Sequence, residues 1–335
     1  MRKIIVLSIL FIVSFGVFAQ SGGVKWEEGS FSQALEKAKK TSKPVFIDCY
    51  TSWCGPCKHM GNAVFTLPQA GAFFNSGFIN IKIDMEKGEG IQLKERFEVK
   101  AFPTFIILDS NGNETGRIVG GGELDAFIGK VKAAMSPGNS PAALKARYGQ
   151  GKNVEDAIAY MALLEESYMQ DKIAGFVEEN YDNFGRALYT EKMWRYIAMS
   201  LSSGSVYDKV LADKYEYDEN LSRGAVNKAI SEVLFDKLVS YLTGKLELTP
   251  QQVQQATKDL SFVMEGRNLM LARVVSKLAI AYATNDPEAV KQALNPNFLN
   301  QRLTGHERFM LNAYILQKGA FLSDEQKSEY KTKLK

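Results

Sequence analysis

Hydrophobic residues recur along this chain with different periods, and each change of period marks the start or end of an element. Residues 4–18 form a continuous apolar run behind Arg2 and Lys3. From Trp26 onward the spacing becomes three-and-four. Ser30 is placed to cap a helix, Gln33 completes a capping box, and Phe31, Ala34, Leu35 and Ala38 form one stripe before Pro44. Residues 45–50 are then apolar throughout except for Asp48, the pattern of a central strand buried on both faces. Residues 51–55 turn the chain into a helix that begins at or near Cys54 and is expected to run to Leu67, where Pro68 opens a second short helix through Phe73 and Phe74. Alternation over 78–84 predicts a strand, 90–97 a short helix and 104–108 another apolar strand. Asn111-Gly112 is a hairpin signal, so 114–119 should return antiparallel, and after three glycines 123–135 reads as an amphipathic helix. The first 135 residues therefore predict an α/β unit, a central mixed sheet flanked by helices.

Beyond residue 135 the pattern is helical only. Residues 136–141, SPGNSP, have linker composition. Apolar residues at helical spacing cover 153–168, 172–180, 186–201, 227–242, 250–265, 269–283 and 307–317, with glycines such as Gly149, Gly151 and Gly244 between them. Residues 157–164 and 279–294 resemble tetratricopeptide-like helical hairpins, but no 34-residue period runs through the region. An irregular helical solenoid or bundle fits best. The stripe of Tyr160, Met161, Tyr168, Met193, Trp194 and Tyr196 is expected to be core rather than a cofactor box. The expected organisation is a signal peptide over 1–19, an α/β domain over 20–135, a linker over 136–141 and an α-helical domain over 142–335.

Composition narrows the function classes. A chain of 335 residues with 45% hydrophobic and 24% charged residues is of ordinary globular type. The formal charge is +3, from 41 basic and 38 acidic residues; without Arg2 and Lys3 the balance is 39 to 38. No electrostatic argument favours nucleic acid or an anionic membrane surface. The leader, two basic residues and an apolar run ending at Val17-Phe18-Ala19, has the form of a secretory signal peptide and is shorter than a spanning helix needs. No cysteine follows it, because the three cysteines lie at 49, 54 and 57. The expectation is an exported protein, in the periplasm where there is an outer membrane and secreted otherwise, with no stable membrane insertion after cleavage.

The candidate chemistry lies in Trp53 to Lys58, WCGPCK. Two thiols separated by two residues can close and reopen a small disulfide ring. Cys54 falls at a helix N-terminus, where free N–H groups and the helix dipole favour a thiolate, so it is the expected nucleophile. Cys57, one turn on, is the expected resolving thiol. One CxxC supplies only two metal ligands, and His59 and Cys49 are poor candidates to complete a tetrahedron, so neither metal nor cofactor is expected. Cys49 should point away from Asp48 as a buried structural thiol, Lys58 should be solvated, and His59 and His306 have no partners in view.

WCGPCK after an apolar strand bearing Asp48, followed by a strand, a helix and Phe102-Pro103-Thr104 opening a hairpin, resembles the thioredoxin superfamily over about residues 24–135. The resemblance implies that Asp48 is the buried acid that accepts the proton of Cys57. It also implies that Pro103 is the cis-proline opposite the disulfide, and that the Gly55-Pro56 pair belongs to a reducing protein. Trp53, Gly55, Pro56, Phe102 and Pro103 would then support substrate binding. The family often pairs the buried acid with a lysine of the neighbouring strand, for which Asn80 and Lys82 share the relevant face.

The expected function is an exported thiol:disulfide oxidoreductase that reduces disulfides of exported proteins and draws electrons from a membrane thiol reductase. Two alternatives stay open: an oxidase or isomerase of the same fold, and a helical-repeat binding protein whose thioredoxin-like domain is not catalytic.

Overall fold

The computed structural model describes residues 22–202, 205–264 and 269–334; the expected signal peptide, 1–19, lies outside them. The chain divides into two compact units, the first running to Met169 and the second beginning at Gln170.

The first unit contains α1 (Phe31–Thr41), β1 (Val45–Tyr50), α2 (Gly55–His59), α3 (Pro68–Gly77), β2 (Ile79–Asp84), α4 (Gly90–Arg96), β3 (Thr104–Leu108), β4 (Glu114–Val119), α5 (Leu124–Ala134), α6 (Pro141–Gly151) and α7 (Val154–Glu166). The single helix expected after Cys54 is interrupted: α2 passes into a π-helical turn at Met60–Val64 before α3. Ser30 caps α1, and the Gln33 side chain returns to the Ser30 N–H as a capping box.

The strands form one mixed sheet in the order β2-β1-β3-β4. β1 pairs parallel with β2 and antiparallel with β3, and β3 and β4 form a hairpin. The hairpin turn closes on Asp109, whose Oδ1 accepts the N–H groups of Asn111 and Asn113 at 2.9 Å, with Gly112 at φ 87° supplying the left-handed position.

Alternation along β1 divides the core. Val45, Ile47 and Cys49 enter a cluster with Phe31, Ala38 and Leu93. Phe46 enters the other cluster, with Met60, Phe65, Phe74, Phe105 and Phe127. Five phenylalanine rings lie with centroids 4.6 to 6.4 Å from that of Phe46, and Trp26 stacks on it at 6.4 Å.

Before Trp26, Gly22 and Lys25 are exposed, as their polarity suggests, but the segment is tied down. Val24 is buried and donates its N–H to Phe65 O at 2.7 Å, while Lys25 N–H reaches Asn75 Oδ1 at 2.8 Å. Glycines allow this approach: a Cβ on Gly71 would stand 2.1 Å from Gly22 O, and one on Gly23 2.1 Å from Phe65 O. The 136–141 segment also takes part in structure, since Ser140 caps α6 and Pro141 is its first residue. Gly149 and Gly151 do not end α6 early. The helix stops at Lys152, which holds φ 51° itself.

The second unit is helical. It comprises α8 (Gln170–Asn180), a 3-10 segment Tyr181–Tyr189 kinked at Gly185, α9 (Glu191–Ser200), α10 (Val206–Ala212), α11 (Lys214–Asn220), α12 (Arg223–Leu242), α13 (Pro250–Val263), α14 (Leu269–Ala283), α15 (Pro287–Ala293), α16 (Pro296–Arg302), α17 (Gly305–Met310), a π-helical turn Leu311–Leu316 and α18 (Asp324–Lys333). Several of these, among them α10, α11, α15 and α16, are only seven residues long and too short to show a period. Aromatic side chains organise part of its core: Tyr217 is fully buried, its OH lies 2.7 Å from the OH of Tyr181, and Trp194 packs on its ring at 5.2 Å. Of the aromatic and methionine stripe expected in the core, Tyr160, Met161, Met193, Trp194 and Tyr196 are buried, whereas Tyr168 is 58% exposed. Tyr168 follows the end of α7 at φ 58°, outside the helical face that carries Tyr160 and Leu164 inward.

Phe46→Ala should remove about 3–5 kcal/mol from the first unit, the range for deleting a large buried aromatic. Urea unfolding followed by the fluorescence of Trp26, which stacks on Phe46, measures it. A loss under about 1 kcal/mol would mean that the rings repack without it.

Candidate active site

The site begins where β1 runs out. Cys54 donates its N–H to Thr51 O at 3.2 Å, which folds Thr51 to Cys54 into a tight turn and leaves Cys54 as the N-cap of α2. In that position its sulfur accepts the Cys57 N–H at 3.1 Å. Pro56, in the first turn, has no N–H to leave unpaired there. Cys54 and Cys57 are joined as a disulfide with Cα atoms 5.3 Å apart, and both are nearly buried, at 3% and 2% exposure. Gly55, Pro56 and Lys58 are exposed beside them.

Trp53 stands over this turn and is 64% exposed. Two contacts hold it: its Nε1–H donates to Glu86 Oε2 at 2.8 Å, and its ring meets Phe102 edge-on at 6.1 Å. The Lys94 ammonium lies 5.5 Å from the Phe102 ring centroid. The Phe102–Pro103 peptide bond is cis, as the resemblance implies. Its loop is fixed on both sides, since Thr104 Oγ1 donates to Ala101 O at 2.7 Å and Pro103 O accepts the Gly120 N–H at 2.9 Å.

Gly120 to Gly122 tie that loop back to the dithiol helix. Gly120 sits at φ 80°. The Gly122 N–H points at Met60 Sδ, 3.5 Å away, and a Cβ on Gly121 would stand 2.7 Å from the same sulfur. Met60, three residues after Cys57, thus joins the dithiol segment to the loop carrying Pro103. Glu86, Met60 and the three glycines were not singled out in the sequence. Only the glycine run offers a signal there, as a break before the helix that follows.

Beneath the helix lies Asp48, 1% exposed on the face of β1 that also carries Phe46. Lys82 is its register partner on β2. The lysine reaches it: Nζ is 3.6 Å from Asp48 Oδ2, an ion pair just beyond hydrogen-bond range. The same ammonium lies 4.6 Å from the Tyr50 ring centroid. It also occupies the space left by Gly61, where a Cβ would be 3.2 Å from Nζ. Asn80, the other candidate, is buried farther along the strand and donates to Lys25 O and Asn75 Oδ1 at 3.4 Å.

Neither carboxylate oxygen of Asp48 has a hydrogen-bond partner among the described residues. Burial therefore dominates its acidity. Desolvation pushes the carboxyl up to about 6, and the Lys82 charge holds it from rising further. A carboxyl titrating there is able to take and return a proton near neutral pH. Cys49 points into the opposite core cluster as a free, buried thiol. Burial first, and then the neighbouring Asp48, push its thiol well above the ordinary range, which leaves it a poor nucleophile.

Comparison with known proteins bears on this geometry. The thioredoxin family model matches residues 24–133. Rice (Oryza sativa subsp. japonica) thioredoxin H2-1 is 36% identical over 122 residues, which cover 36% of this chain and 80% of its own length. Chloroplastic thioredoxin Y from rice is 33% identical over 112 residues, covering 33% of this chain and 63% of its own, so the chain spans a little under two thirds of that relative. A solved structure, a candidate disulphide-isomerase from Bacteroides thetaiotaomicron, is 39% identical, covers 36% of this chain and 98% of its own, and superposes with a TM-score of 0.33.

The raised acidity constant of Asp48 fixes the sign of a stability effect. The folded value, about 6, lies above the ordinary 3.8, so the folded state holds this proton more tightly than the unfolded state between those two values. The ionisation cost is absent below about pH 4, grows as pH rises to about 6 and is constant above, on the order of 3 kcal/mol. Asp48→Asn should therefore gain stability relative to the parent as pH rises from about 4 to 7. Urea midpoints across that range measure it, and a gap independent of pH would contradict the assignment.

Proposed function

The chain belongs to the thioredoxin family, and from that premise we propose that it is an exported thiol:disulfide oxidoreductase working as a reductase of disulfides in exported proteins. The observation that carries the reading is the Cys54 sulfur at the head of α2, accepting the Cys57 N–H at 3.1 Å. The same donor stabilises a thiolate when the pair is reduced.

In the reduced protein, the Cys54 thiolate attacks one sulfur of a client disulfide. A mixed disulfide forms and the other client sulfur leaves as a thiolate, which takes up a proton. Asp48 then accepts the Cys57 proton, and the Cys57 thiolate attacks Cys54 Sγ. The second client sulfur leaves, the Cys54–Cys57 disulfide forms, and two electrons have passed to the client. Asp48 suits the proton transfer because its carboxyl titrates near 6 while it stays buried on the α2 side of the sheet. Trp53, Gly55, Pro56, Phe102 and Pro103 are the proposed aromatic and backbone surface on which an extended client segment lies.

The leader over 1–19 supports export, and an oxidising compartment requires an electron donor for each turnover. A membrane thiol reductase is the proposed source. The helical second unit, read as an irregular repeat array, is the proposed determinant of which clients are presented.

Purified protein should reduce the interchain disulfides of insulin in the presence of dithiothreitol, with Cys54→Ser abolishing the rate. Cys57→Ser should accumulate mixed disulfides through Cys54 in the exported compartment. Asp48→Asn should slow the step that resolves the mixed disulfide and remove an inflection near pH 6 from its pH profile. A dithiol that oxidises reduced model peptides in glutathione buffer, rather than reducing their disulfides, would turn the reading to the oxidase alternative.

A further inference from the structure

The second unit pairs many of its lysines. Lys209 meets Asp182, Lys214 meets Asp218, Lys291 meets Glu288 and Lys327 meets Asp324. The α13–α14 pair departs from this. Its helices carry Lys258, Arg273 and Lys277 against one acid, Asp259. That acid is engaged elsewhere: Oδ2 accepts from the Tyr207 hydroxyl at 3.2 Å and Oδ1 from Gln255 Nε2 at 2.7 Å.

All three cations line a single groove of about 450 Å³ between the two helices, and among the described residues no carboxylate lines it. None of the three makes an ion pair among the described residues. The lining follows helical rows. Gln254, Lys258 and Ser261 stand four and three residues apart on α13, and Arg273, Lys277 and Ile280 repeat that spacing on α14. The core of the helix pair is made by other residues, such as Leu260, Val275 and Leu278, so packing does not require the cations. Like charges gathered along one groove repel one another and raise its affinity for anions.

We propose that this groove binds an acidic stretch of a polypeptide partner. The charges are spread along two rows rather than converging on one point, which suits successive carboxylates on a chain better than a single small anion. Each row covers about 10 Å of helix, the length of about three extended residues. Met264 and Ile280 add apolar lining for side chains between the carboxylates. The proposal is independent of the dithiol chemistry, because it rests on side chains of α13 and α14 alone.

Fluorescence anisotropy on the full chain tests it, with a labelled peptide of Glu and Leu and a Lys-for-Glu control peptide as probes. The acidic peptide should bind and the basic one should not, and raising salt from about 50 to 200 mM should weaken the complex. Lys258→Gln/Arg273→Gln/Lys277→Gln should bind about tenfold more weakly while melting no lower than the parent, and Lys277→Gln alone should fall between them. Failure of the parent to bind the acidic peptide would overturn the proposal, as would binding within about twofold by the triple variant. Displacement of the peptide by about 10 mM inorganic phosphate would overturn it in favour of a small-anion site. A lower melting temperature in the triple variant would show that the cations hold the helices together and would remove the premise.

Discussion

A carboxyl group buried in the central strand is the constraint on which the rest of the first unit depends. Asp48 has apolar residues on both sides of it in β1 and almost no exposure, so its ionised form is costly wherever the fold places it. The structure offsets only part of that cost. Lys82 approaches to 3.6 Å but makes no hydrogen bond, and both carboxylate oxygens stay without donors among the described residues. A fully satisfied ion pair would hold the acid ionised through the neutral range, and no cation at all would hold it protonated there. The intermediate arrangement leaves the proton exchangeable near pH 6.

That separation is set by neighbours. Parallel register between β1 and β2 brings Lys82 beside Asp48, Tyr50 offers a ring face to the ammonium, and Gly61 leaves the space it fills. The same economy of side chains continues around the sulfurs. Gly121 yields to Met60, and Gly120 takes a left-handed conformation that lets its N–H meet Pro103 O. These glycines are places where two backbones, or a backbone and a side chain, meet closely.

This explains which parts were legible in advance. Elements with a clear period, such as α1 with its capping box, the apolar β1 and the alternating β2, fall at the expected residues. The dithiol segment was legible because its spacing is its chemistry. Lys82 was visible as a residue but not as a contact, since alternation gives its face and only the register gives its partner. The burial of Val24 is not visible in the local sequence, because the segment that carries it closes on Gly71, about fifty positions away. In the second unit the short helices α10, α11, α15 and α16 lack the length to show a period, and in the first unit α6 lies behind glycines that its last turn tolerates.

The two units differ in how they use charge. In the first, a buried acid and a half-buried lysine act over less than 4 Å, where low polarity makes a small displacement matter to a proton. In the second, the α13–α14 cations are exposed, so each acts weakly alone and their fields add along one groove. Dithiol exchange is a reaction of two sulfurs and is chemically indifferent to most of the client around them. Discrimination among clients therefore depends on recognition beyond the two sulfurs, and the acidic-peptide site proposed on α13 and α14 is recognition of that kind, resting on surface charge rather than on the Asp48 proton.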